Sequence, residues 1–226
     1  MQGLAQGIAP RLLWPEPYWA QVLVRDKGSG TETLVDFPVL LPHEFFDHLV
    51  KANKEKLELF KASVDHAPEL LPLVQEFALA LGVDAAKVIP LGVHGDGVPF
   101  AAKMTDSLEQ LSWNFCAQPA SQRVLFTAIP KSAVAGRATW DALLAIFSWS
   151  MRQLALGVWP SLRHDGSPWG PKDTSRATKG GVQFPMLAAL VQCRGDWVFY
   201  KQIFDFLSWS SMNICWKCSA SKRGSA

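Results

Sequence analysis

The sequence predicts an α/β protein, a mixed sheet with flanking helices that stops short at its carboxyl-terminal end, preceded by a small, mainly helical region. Three observations carry this reading. Short β-rich runs gather after residue 84, where the earlier residues favour helix. A long apolar helix pattern then separates the third run from a fourth. That fourth run, residues 186–191, is apolar without alternation, as expected for a strand buried on both faces.

The elements follow in order. Residues 1–84 are punctuated by Pro10, Pro15, Pro17 and Pro38, and a Gly28-Ser29-Gly30 turn joins two short strands around Val22-Leu23-Val24 and Thr33-Leu34-Val35, an edge hairpin. From Pro42, a residue suited to a first helical turn, Phe45, Phe46, Leu49, Val50, Leu57 and Phe60 recur at helical spacing. Lys51, Lys54, Glu55 and Glu58 take the other face. A second helix over about residues 70–81 stops at Gly82, which suits a left-handed cap.

A sheet domain is expected over 85–212. Residues 88–93 form a strand leading to His94-Gly95-Asp96-Gly97, and alternation puts His94 and Asp96 on one face with Val93 on the other. Segments at 111–115 and 123–129 read as antiparallel neighbours. Trp140, Leu143, Leu144, Phe147, Met151 and Leu154 mark a long helix, with Thr139 as its amino-terminal cap and Gly157 as its stop. A polar loop spans about 161–181, the buried strand delivers Arg194-Gly195-Asp196-Trp197, and a short aromatic helix covers about 198–207. Residues 213–226 hold a Cys215-x-x-Cys218 knuckle and a basic tail.

Bulk properties exclude several classes. With 49% hydrophobic residues in a chain of 226, this is no disordered tail. A net charge of +2 is too small to act as a DNA-binding field, and Lys217, Lys222 and Arg223 form the one basic cluster. The amino terminus lacks the pattern of a secretory signal. The apolar span 140–159 carries Asp141 and Arg152, charges that cost about 2.5–3.5 kcal/mol each at a bilayer centre, so it reads as a buried helix and no membrane partner is expected. An intracellular location follows, and four cysteines there argue for metal binding or burial over disulfides.

Each Gly-Asp pair ends an apolar run and presents an isolated carboxylate. Hard cations need oxygen ligands on rigid elements, and strand-end aspartates supply them. The order strand, two strands, long helix, buried strand, helix is the connectivity of the front half of a ribonuclease-H-like domain, in which the first and fourth strands lie side by side through a right-handed crossover. Asp96 and Asp196 would then hold Mg²⁺ or Mn²⁺ ions about 3.5–4 Å apart.

The succession Gly95-Asp96-Gly97-Val98-Pro99, the long helix closing in Leu156-Gly157-Val158-Trp159-Pro160, Leu187-Ala188-Ala189-Leu190 running into Gly195-Asp196-Trp197, and Cys215-x-x-Cys218 resembles the DDE transposases of the CACTA (En/Spm) superfamily, including transposon-derived proteins of dinoflagellates. The resemblance covers about residues 88–220. It implies DNA strand cleavage and transfer by two metal ions, with Asp96 and Asp196 as the first two catalytic acids, DNA as partner, a nuclear location and a zinc knuckle begun by Cys215 and Cys218. The sequence departs from the family in its last eight residues after Cys218, which hold neither a third acid nor a further Cys or His. The expectation is a truncated or degenerate transposase, inactive alone, drawing the missing groups from a full-length transposase or a second copy. The alternatives are a non-enzymatic nucleic-acid-binding or interaction protein, and a functionless relic.

Plainer readings stand beside these. Asp96 between glycines suits a turn, and Asp196 suits the cap of the helix that follows. His94 is read either as a phosphate contact or as structural, Arg194 either as a phosphate contact or as the ion-pair partner of an aspartate, and Lys172, Arg176 and Lys179 either as a phosphate-tracking loop or as a solvated one. Cys116 and Cys193 read as buried thiols.

Overall fold

The computed structural model describes residues 14–99, 106–118, 123–204 and 206. Its centre is a four-stranded sheet of order β5-β4-β3-β6, built from β3 (Val88–Pro99), β4 (Ser107–Phe115), β5 (Val124–Pro130) and β6 (Leu187–Gly195). The first three strands pair antiparallel, and β6 joins β3 in parallel after the crossover helix α3 (Arg137–Leu156). The mixed α/β class and the side-by-side placement of the two aspartate-bearing strands agree with the expectation.

Both faces of the sheet are used, as alternation requires. Ile89, Leu91 and Val93 point with Leu111, Trp113 and Phe126 into the main core, which α3 closes with Leu143, Phe147 and Leu154. Val88 and Ala189, on the other face, pack on Val74 and Ala78 of α2 (Leu71–Leu81) in a second, smaller cluster. Helix α2 ends where expected, with Gly82 left-handed at φ 64°.

The amino-terminal region contributes to the same core. A hairpin of β1 (Tyr18–Arg25) and β2 (Glu32–Val39) forms a sheet of its own, longer than the short strands anticipated, and it leans on α3 rather than extending the main sheet. Tyr18, Val22, Leu41 and Phe46 are buried among the α3 side chains. Helix α1 (Pro42–Ala52) is shorter than its apolar pattern: Asn53 places both its backbone N–H and its side-chain amide on the Leu49 carbonyl, at 3.0 and 2.8 Å, and the chain continues as a 3₁₀ turn to Phe60.

Three further features differ for identifiable reasons. Helix α3 starts at Arg137, so Thr139 is not its cap; the Thr139 hydroxyl accepts from the Ala135 N–H and donates to the Leu23 carbonyl, tying the helix start to β1. Strand β3 runs through His94-Gly95-Asp96-Gly97 to Pro99, so this segment is no turn. The loop at 161–181 contains a 3₁₀ turn, Pro171–Asp173, that runs into one turn of helix, α4 (Thr174–Ala177). Helix α5 (Trp197–Phe204) follows β6 as expected. Among the described residues no helix is long and apolar enough to cross a membrane.

Candidate functional site

The strands β3 and β6 bring the two aspartates together. Their register runs Val88 with Leu187 to Leu91 with Leu190, then slips by one residue at Val191, so that His94 lies beside Arg194 and Gly95 beside Gly195. Asp96 comes next on β3, and Asp196 is the first residue past β6. The bulge decides this level: with uninterrupted pairing Asp96 would stand beside Gly195. Asp96 is half-buried, in ladder pairing with Gln110 of β4, and Asp196 is exposed where the chain leaves the sheet.

The glycines have a different reason to be there than a turn. Neither Gly95 nor Gly195 has a positive φ. The ring of Phe199, in the first turns of α5, lies flat across both, and a Cβ at Gly95 would fall 1.9 Å from it, at Gly195 2.3 Å. Asp196 holds that helix in place: its Oδ1 accepts from the Phe199 N–H at 2.7 Å, so the capping role foreseen for it is real. One carboxylate oxygen caps, and the other has no partner among the described residues.

Above the aspartates sits a basic group. The Arg123 guanidinium donates to His94 Nδ1 at 3.1 Å, across β4. Burial holds the His94 pKa below its ordinary value of 6.5, Arg123 and Arg194 push the same way, and the carboxylates of Asp96 and Asp196 oppose them. Arg194 is exposed and forms no ion pair among the described residues, so the ion-pair reading for it is not what the structure has. Arg123 carried no signal in the sequence; it stands ahead of β5 and comes to His94 only through the antiparallel order of β3, β4 and β5.

The loop residues separate. Arg176 is in the interior, its guanidinium bidentate on Glu44 at 2.6 and 3.0 Å, 2.6 Å from Asp173 and 2.7 Å from the Glu16 carbonyl, so it tracks no phosphate backbone. Lys179 packs its ammonium 4.3 Å over the Trp159 ring. Lys172 is exposed in a groove that Trp19 and Arg163 also line. None of the three joins Asp96 and Asp196.

The cysteines follow suit. Cys116 is half-buried and donates weakly to Gln192 at 3.5 Å, and burial pushes its thiol up to about 11. Cys193 is exposed, contrary to expectation, with a thiol raised by partial burial. Cys215 and Cys218 lie outside the described residues.

For a hard cation, Asp96 on β3 and Asp196 at the exit of β6 are the right donor type, and they are two where a tight site has more. No group of three or more His, Cys, Asp or Glu able to hold a metal ion occurs among the described residues. Two carboxylates fit a weakly held Mg²⁺ or Mn²⁺ completed by water, and do not fit a closed structural metal centre. Comparison with protein-family models, curated proteins and solved structures finds no match to this chain.

Proposed function

We propose that this chain carries a ribonuclease-H-like scaffold descended from a DDE transposase, in which Asp96 and Asp196 form a reduced metal-dependent phosphoryl-transfer site that acts on DNA only with help from outside the chain. The observation that carries the reading is the parallel register of β3 and β6, which ends on Gly95 beside Gly195, each directly followed by its aspartate, Asp96 within β3 and Asp196 just past β6. The strand order β5-β4-β3-β6, with the last strand parallel to the first of the meander, supports the scaffold. A bound Mg²⁺ or Mn²⁺ would supply charge neutralisation at a phosphate and an activated water. The chain's own residues position: the strands fix the carboxylates, Phe199 on its two glycines fixes the exit of β6, and the cap on α5 orients Asp196.

A second reading is favoured by the donor count. With two carboxylates and no third ligand among the described residues, the scaffold can serve as a nucleic-acid-binding protein without chemistry. Calorimetric titration of Mn²⁺ into the protein and into an Asp96→Asn, Asp196→Asn double variant separates the two. The phosphoryl-transfer reading expects weak binding, with a Kd of about 0.1–1 mM, that disappears in the double variant. Equal heats from both proteins would leave the binding scaffold as the better account.

A further inference from the structure

We infer that Arg123, His94 and Arg194 form an oxyanion grip that holds a phosphodiester of a nucleic-acid strand against the Asp96 and Asp196 pair. The inference deepens the proposed function and rests on it for the role of the aspartates, while its own evidence is separate.

The first step is the protonation state of His94. An arginine stays protonated at any pH a protein survives, so in the contact between Arg123 and His94 Nδ1 the guanidinium is the donor and the imidazole nitrogen the acceptor. In that contact Nδ1 accepts, which leaves Nε2 as the ring nitrogen that can donate.

The second step is placement. His94 and Arg194 are register partners on adjacent strands, so alternation sends both side chains to the same face, about 5 Å apart at the backbone. Val93, Gly95 and Phe199 belong to the opposite face, where α3 and α5 lie. On the His94 face, α2 packs on Val88 and Ala189 at the other end of the strands. This face thus carries three nitrogen donor groups near one another.

The third step is charge. Arg123 and Arg194 are both exposed, and neither forms an ion pair among the described residues, although Asp96 and Asp196 act electrostatically on the same imidazole. Surface carboxylates commonly capture a neighbouring arginine. Among the described residues Arg194 has no ion-pair partner and Arg123 spends one N–H on His94, and guanidinium N–H groups of both suit the oxygens of a phosphate. The neighbouring carboxylates repel an anion until a divalent cation neutralises them. Oxyanion and cation affinities are then coupled, and by linkage each raises the other.

The test is fluorescence anisotropy of a labelled single-stranded oligothymidylate, with Mn²⁺ or with chelator, on the wild type, Arg123→Gln, Arg194→Gln and the Asp96→Asn, Asp196→Asn double variant. Each arginine variant should lose about tenfold in affinity and lower the salt slope by about one, with an unchanged melting temperature. Mn²⁺ should tighten binding to the wild type, and the double variant should bind tightly without it. Affinity and salt slope unchanged in both arginine variants would overturn the grip. Displacement by inorganic phosphate at a concentration comparable to that of oligonucleotide phosphate would overturn its assignment to nucleic acid. Arginine-dependent binding that ignores Mn²⁺ in every protein would keep the grip and instead count against the metal reading of the aspartates.

Discussion

Gly95 and Gly195 are where residue chemistry and site geometry meet. In the sequence, Asp96 between glycines suits a turn, because Gly beside Asp is a turn pair. In the structure Gly95 and Gly195 are strand residues whose missing side chains admit Phe199. That reason was invisible in the sequence, since Phe199 reaches Gly95 from a hundred residues away. A Gly95→Ala substitution puts a methyl group 1.9 Å from a ring atom, so the ring or the strand must move. Overpacking of this kind costs about 1–3 kcal/mol, and urea unfolding of Gly95→Ala should show that loss. Adding Phe199→Leu to Gly95→Ala should cost less than the two single changes summed; strict additivity would contradict the close packing. Asp96 and Asp196 themselves were legible as isolated carboxylates after apolar runs. The fate of Arg176 was not, because its partners Glu44 and Glu16 come from distant segments.

At the scale of elements, the junction of α1 with α3 shows a buried polar contact that no local pattern announces. His43, in the first turn of α1, is fully buried, and its backbone N–H donates to the Ser150 hydroxyl of α3 at 3.0 Å while Nδ1 meets the same oxygen at 2.8 Å. Trp149 and Trp159 meet the ring edge-to-face, with centroids 5.2 and 5.3 Å away, and Nε2 has no hydrogen-bond partner among the described residues. Burial, with Arg176 and Lys179 adding to it, lowers the imidazole pKa from 6.5 to about 3. The folded pKa lies below the unfolded one, so the unfolded chain binds the extra proton between these values. Stability from the neutral ring is present above pH 6.5 and is lost as the pH falls toward 3, by up to about 1.4 kcal/mol per pH unit. Denaturant unfolding across this window, compared with His43→Gln, should show a shallower acid loss in the variant. Parallel curves would refute the assignment. Helix existence, by contrast, was legible throughout: α2 and α3 end at Gly82 and Gly157 as their sequence indicates. The early end of α1 was not, because a side-chain amide on a carbonyl outweighs a continuing apolar repeat.

For the molecule as a whole, the strand order was legible because few topologies connect three antiparallel strands, a long helix and a buried parallel strand. What the order could not supply was the level of the aspartates. That depends on a single bulge at Val191, and a one-residue slip changes every neighbour along β6. The hairpin likewise looked like part of a separate front region, whereas Tyr18 and Val22 share the core with α3. The architecture therefore leaves one end of the sheet as the meeting place of two carboxylates and a basic group, and the proposal stands or falls on whether that end holds a cation. The most direct measurement is anomalous diffraction from crystals of the protein soaked in Mn²⁺. The account predicts a peak in contact with both Asp96 and Asp196, lost in the Asp96→Asn, Asp196→Asn variant. Carboxylates more than about 8 Å apart, with Mn²⁺ bound only elsewhere, would contradict it.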